Sequence, residues 1–141
     1  YVSKERFAEC NVLAVDYDEL LGEADYISIH APLTKETFGM IDMAAISTMK
    51  DGVRIISASR GGLINENDLL EGLELGKIAG AALDVLAEEP PSTSKLIEHP
   101  NIIVTPHIGA QTAEAQARAG IDVAGEIIAA LKGEKLRWSI G

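Results

Sequence analysis

Four polar residues, His30, Arg60, Asp84 and His107, stand at or just beyond the ends of short apolar runs. The runs are Tyr26-Ile27-Ser28-Ile29, Val53-Arg54-Ile55-Ile56-Ser57-Ala58-Ser59, Ala79-Gly80-Ala81-Ala82-Leu83 and Ile102-Ile103-Val104-Thr105. The planar fork of an arginine suits a two-point grip on a carboxylate or phosphate. An imidazole exchanges a proton near neutral pH. Glu89, whose backbone Pro90 restricts, is a carboxylate able to orient such a ring and favour its charged form. Arg60, Glu89 and His107 therefore suit proton transfer coupled to hydride transfer on a small 2-hydroxy or 2-keto acid, with a nicotinamide as hydride carrier. Singly, each residue has a plainer reading: Arg60 as a surface cation, His107 in an ordinary Pro-His turn, Glu89 in a solvated pair with Glu88, Asp84 as a turn cap and His30 as a structural histidine. Independent plain readings do not explain why every run ends in a chemically useful group. His30, His99 and His107 lack the spacing of metal ligands, so no metal site is expected.

To bring these groups together the runs must be parallel neighbours, because their carboxyl ends then share one edge of a sheet, where open α/β sheets bind ligands. The segments between them read as helices. Ser3 is placed to cap a helix reaching Glu9 or Cys10, and Asn11-Val12-Leu13-Ala14-Val15 reads as a short strand. Asp16 with Glu19 has capping-box spacing and opens a helix with Leu20 and Leu21 inward, ending near Gly22. Pro32 to Thr37 is a polar loop. Asp42 caps a helix through Met49, which Lys50-Asp51-Gly52 ends. Asn65 opens a helix with Leu69, Leu70 and Leu73 on one stripe, Gly76 at its end and Lys77 where the helix dipole favours a cation. Val85 to Ser94 is a loop stiffened by Pro90 and Pro91. Thr112 starts a long helix to about Lys132, whose stripe of Ala117, Ile121, Ala124, Ile128 and Leu131 is expected to pack on the sheet. Gly120 and Gly125 within it suggest close packing or bending, and Gly133 ends it. The βαβα alternation gives an α/β fold, a parallel doubly wound, Rossmann-like sheet. Gly-x-Gly-x-x-Gly occurs nowhere in the chain, so the first βαβ portion with its phosphate-cradling turn is not expected here.

The 141 residues suffice for one domain with a core, and 47% hydrophobic with 24% charged residues is a globular composition. Aromatic residues make up only 4%, so Ile, Leu, Val and Ala must build the core. A formal net charge of −10 argues against nucleic acid and anionic membrane as partners. No apolar run approaches the roughly 20 residues of a membrane helix, and no secretory signal is visible. The single cysteine, Cys10, excludes an internal disulfide, suits a reducing compartment and is expected to be a buried residue in a helix. A cytoplasmic location is expected.

Four segments carry a family resemblance: Met49-Lys50-Asp51-Gly52 through Ser59-Arg60-Gly61-Gly62, Gly80-Ala81-Ala82-Leu83-Asp84-Val85, Glu89-Pro90-Pro91, and Thr105-Pro106-His107-Ile108-Gly109-Ala110. In this order they resemble the D-isomer-specific 2-hydroxyacid dehydrogenases, and Gln111-Thr112-Ala113-Glu114-Ala115-Gln116 is most similar to the phosphoglycerate-oxidising members. The resemblance implies Arg60 as the substrate-carboxylate arginine, Glu89 as partner of the histidine and His107 as general acid and base. It implies NAD as cofactor, with Asp84 at the nicotinamide carboxamide and His30, Ala31, Pro32, Ala58, Ser59, Arg60 and the turn of His107, Ile108, Gly109 and Ala110 lining its site. Ser57, Asn65 and Leu86 replace the family's usual Asn, Asp and Phe. It further implies that residues 1–132 are part of an NAD-binding domain, that 133–141 lead toward a substrate-binding domain outside the sequence, and that the domain forms a homodimer. Another D-2-hydroxy acid as substrate, a dinucleotide-sensing interaction module, or a dimerising scaffold are the alternatives.

Overall fold

A computed structural model describes residues 2, 4–91 and 95–139. They form two compact units, Tyr1–Thr105 and Pro106–Gly141.

In the first unit the order is α1 (Lys4–Glu9), α2 (Tyr17–Glu23), β1 (Tyr26–Ile29), α3 (Met43–Thr48), β2 (Val53–Ser57), α4 (Glu66–Glu74), β3 (Ile78–Leu83), α5 (Lys95–Glu98) and β4 (Ile102–Val104). The four strands make one sheet in the order β1-β2-β3-β4, every pair parallel. This is the parallel α/β sheet expected from the alternation of runs and caps. Three of the helix starts are set by side chains that accept orphan backbone N–H groups: Asp16 from Glu19 at 2.9 Å, Asp42 from Ala45 at 2.9 Å, and Asn65 from Asn67 and Asp68 at 3.1 and 3.3 Å.

Register places Ile27, Ile55, Ala81 and Ile102 side by side on one sheet face, with Ile29, Ser57, Leu83 and Val104 in the next row. That face packs with Leu21, Ile46, Leu69, Leu73 and Leu96 from α2 to α5 in a single core. Complete burial of a Leu or Ile such as Ile46 or Leu69 contributes about 1.5–3 kcal/mol each, enough in aggregate to set the register. On the opposite face Tyr26, Arg54, Ser28 and Ile103 are exposed while Ile56 and Ala82, between Ser28 and Ile103 in register, are half-buried; the Arg54 guanidinium lies 5.5 Å from the Tyr26 ring centre.

Several local expectations are corrected. Asn11 to Val15 form no strand: the end of α1 bonds back through the Asn11 and Val12 amides, Asn11 turns at φ 53°, and no neighbouring backbone pairs with the run among the described residues. Leu21 is inward, but Leu20 is 39% exposed, and α2 passes Gly22 to Glu23. Cys10 is exposed in the turn after α1. The single turn α5 has no counterpart among the expected elements. Ser3 and residues 92–94 lie outside the described residues.

The second unit contains α6 (Ala113–Leu131), capped by Thr112, whose hydroxyl accepts from the Ala115 amide at 3.1 Å. Gly133 ends it at φ 71°. The Arg137 amide donates to the Glu126 carboxylate at 3.0 Å, tying the following segment to the helix. Within this unit no residue of α6 is buried, and Ile121 and Leu131 of its apolar stripe are 73% and 84% exposed. Nor are Gly120 and Gly125 closely packed, since a Cβ at either would meet nothing within 4 Å. Among the described residues no helix is long and apolar enough to cross a membrane.

Candidate active site at the carboxyl edge of the sheet

Because β1, β2, β3 and β4 are parallel, His30, Ala58, Asp84 and Thr105 follow their ends along one edge. Local bonds shape that edge. The Ser59 hydroxyl donates to the Ile29 carbonyl at 2.5 Å, joining the turn after β2 to the end of β1. Ser28 Oγ and His30 Nε2 are 2.8 Å apart. The Pro32 loop is held by the Thr37 hydroxyl, which donates to the Pro32 carbonyl at 2.6 Å and accepts from the Thr34 amide at 2.8 Å.

The result is an open cleft of about 630 Å³ lined by His30, Ala31, Pro32, Leu33, Ser59 and Arg60. Arg60 is exposed there, and its Nη1 donates to the Ser59 carbonyl at 2.7 Å. A guanidinium has five N–H donors, so this one bond fixes the group's direction without consuming its capacity for an anion.

After Arg60 the chain must turn sharply, and two glycines make this possible. Gly62 adopts φ 87°, a left-handed conformation that side chains disfavour. At Gly61 the requirement is space: a Cβ would lie 2.1 Å from the Leu86 carbonyl oxygen. The loop from Asp84 toward Glu89 therefore crosses directly over the residue next to Arg60. Leu86 anchors this loop at 5% exposure, and the Glu66 carboxylate accepts from the Ala87 amide at 2.6 Å. Glu89 is exposed farther along the same loop.

Asp84 is 8% exposed; its amide donates to the Ser57 carbonyl at 2.9 Å and its carboxylate accepts from the Thr105 hydroxyl. The Thr105 amide donates to the Leu83 carbonyl at 2.9 Å, so the same residue extends the β3–β4 ladder and orients the carboxylate. Thr105 and Glu66 are functional candidates that sequence reasoning misses. Their signal is weak, because each acts on a group 21 residues away.

His107, Ile108, Gly109 and Ala110 belong to the second unit. There the Gln111 amide closes a turn on the Ile108 carbonyl at 2.9 Å, and His107 has φ 53°. A non-glycine residue held in the left-handed region is uncommon, and such positions cluster at functional sites. Of the predicted site residues, then, His30, Ala31, Pro32, Ser59 and Arg60 share one cleft, Ala58 and Asp84 continue the same edge, and the Glu89 loop crosses beside Arg60.

The sequence matches over residues 1–109 the profile described as D-isomer specific 2-hydroxyacid dehydrogenase, NAD binding domain. It is 46% identical over 133 residues to D-3-phosphoglycerate dehydrogenase of Bacillus subtilis, covering 94% of this chain and 25% of that protein. Against D-3-phosphoglycerate dehydrogenase of Archaeoglobus fulgidus it is 45% identical over 141 residues, covering 99% of this chain and 27% of the relative. The chain thus spans about a quarter of the length of these curated relatives. Among solved structures, D-mandelate dehydrogenase of Rhodotorula graminis in its holo form superposes with a TM-score of 0.92 at 31% identity, over 100% of this chain and 41% of that one. D-lactate dehydrogenase with NAD+ from Lactobacillus jensenii superposes at 0.88 and 32% identity, over 100% of this chain and 46% of that one.

The chemistry of the residues at the edge is compatible with NAD: Ala31, Pro32 and Ala58 carry little bulk, and the carboxylate of Asp84, oriented by the Thr105 hydroxyl, is chemically able to accept from an amide N–H.

Proposed function

Since the chain belongs to the D-isomer specific 2-hydroxyacid dehydrogenases, as part of their NAD-binding domain, we propose that it forms the nicotinamide side of an enzyme oxidising D-3-phosphoglycerate to 3-phosphohydroxypyruvate, a step toward serine. Relatives bearing the name D-3-phosphoglycerate dehydrogenase at 45–48% identity support this substrate over other D-2-hydroxy acids. The observation that carries the reading is Arg60 in the cleft at the carboxyl edge.

In this reading Arg60 grips the substrate carboxylate and so fixes the neighbouring hydroxyl-bearing carbon. His107 takes the hydroxyl proton, and Glu89 orients its ring and stabilises the imidazolium that forms. Asp84, with Ala31, Pro32, Ala58, Ser59 and the turn from His107 to Ala110, holds the nicotinamide half of NAD. When bound, NAD supplies the hydride acceptor. Residues 1–132 would then belong to the cofactor domain and 133–141 lead toward a substrate-binding domain, in a cytoplasmic homodimer.

The test is turnover of 3-phosphoglycerate by the full-length polypeptide, followed through NADH absorbance. His107→Ala is expected to lower kcat about 10²- to 10⁴-fold, the range for a positioned acid or base. Arg60→Lys keeps the charge and loses the fork, and should chiefly raise KM for the acid. Full activity in both variants would overturn the assignment.

A further inference from the structure

The loop that carries Glu89 is docked at two points before it reaches that residue. At one, its backbone passes over Gly61, where even a Cβ would collide with Leu86. At the other, the half-buried carboxylate of Glu66, the first residue of α4, receives the Ala87 amide at 2.6 Å. The first point only limits how closely the loop approaches. The second is directional, because a charge-assisted hydrogen bond fixes the peptide plane as well as its distance. Glu66 is well placed to hold that amide. At the first turn of α4 its charge is favoured by the helix dipole, and the helix is held by buried Leu69 and Leu73. Leu86, buried beside Ala87, prevents the chain from swinging about the bond.

We infer that Glu66 is a positioning residue: by holding the Ala87 amide it sets the course of the chain to Glu89, two residues on, and thereby the carboxylate assigned above to the histidine. The inference rests on the proposed role of Glu89. A displacement of about 1 Å at a reacting group costs up to about 10²-fold in rate, and loss of a single docking bond on a loop still anchored by Leu86 should cost less.

The full-length enzyme tests this through Glu66→Ala, Glu66→Gln, Glu89→Gln and the double variant E66A/E89Q. E66A is expected to lower kcat about tenfold with KM for 3-phosphoglycerate within about twofold of the parent. E66Q should recover most of that loss, since its amide oxygen still accepts from Ala87. A purely structural role would lower the thermal midpoint in step with activity; here the midpoint of E66A stays within a few degrees. In the double variant E66A should add nothing to E89Q, because the group it positions is already removed. Parental kcat in E66A, or losses that multiply in the double variant, overturn the inference. Parental kcat in E89Q overturns the reading of Glu89 and the inference with it. Should E66A fail to fold, Glu66→Asp, one methylene too short for the bond, supplies the same comparison.

Discussion

Replacing Gly61 by alanine puts a methyl group where the backbone after β3 already runs. The new Cβ would lie 2.1 Å from the Leu86 oxygen, 2.6 Å from its carbonyl carbon and 2.9 Å from the Ala87 Cα. Carbon–oxygen contact distances are about 3.3 Å, so the two backbones must separate by about 1 Å. These are main-chain atoms and cannot rotate away as the end of a side chain would. A 1 Å retreat would stretch the Ala87 to Glu66 bond, now 2.6 Å, past the range of a hydrogen bond and lift Leu86 from the core. Overpacking of this kind costs about 1–3 kcal/mol, which for a unit of this size lowers the thermal midpoint by about 4–12 °C. Because the displaced loop leads to Glu89, kcat in the full-length enzyme should also fall, by up to about 10²-fold. Circular dichroism melts and initial-rate kinetics read the two effects separately. A G61A protein with the parental midpoint and the parental kcat would refute the reasoning, since the backbone would then not cross where the structure places it.

Gly120→Ala and Gly125→Ala should act in the opposite direction: each lies within α6 with nothing within 4 Å of a Cβ, so each should stabilise the helix by about 1 kcal/mol. A loss in the melting curve would instead reveal a close neighbour at these positions. Asn65→Ala removes the acceptor for the Asn67 and Asp68 amides and should cost about 1 kcal/mol in denaturant unfolding; an unchanged midpoint would reject the cap. The hydrogen bond from Lys77 at 2.7 Å, together with its charge, lowers the pKa of Asp51 below the usual carboxylate value. The pair therefore stabilises above the unfolded pKa of about 3.9 and loses its effect as pH falls through the lower folded value. Asp51→Asn should be less stable than the parent near neutrality, by a small margin at this exposed site, and the two should converge in acid. A gap independent of pH would contradict this.

How much of this is legible in the sequence depends on how local each cause is. Asp16, Asp42 and Asn65 cap the helices expected of them, and Thr112 caps the one expected to begin near it, because a cap is chemistry between a side chain and amides two or three residues away. Asn11 to Val15 has the composition of a strand, but a strand exists only with a partner, and composition cannot supply one. α5 is a single turn, too short for periodicity to register, and Leu96 secures it only by tertiary burial. The apolar stripe of α6 is periodic in the sequence, but periodicity does not say what it packs against. Arg60 and His30 are readable as cleft residues because parallel strands put their ends on one edge. Thr105 and Glu66 are not, because each acts through a bond formed only after β3 is in place.

The consecutive strand order explains why so short a stretch can assemble so much of a site. Each crossover lays the next strand beside the last, so groups separated by some 20 to 30 residues of sequence end about 4.8 Å apart across the sheet. His30, the Ser59-Arg60 turn, Asp84 and Thr105 consequently run along the edge in the order of the chain. The bonds between neighbouring strand ends follow the same order: Ser59 to Ile29, Asp84 to Ser57, Thr105 to Leu83 and Asp84. Each strand end is thus located by the one before it, and an error introduced at one turn is passed to the next. That is why the backbone crossing at Gly61 matters beyond its own neighbourhood: it lies after the second strand end, and the loop it confines follows the third.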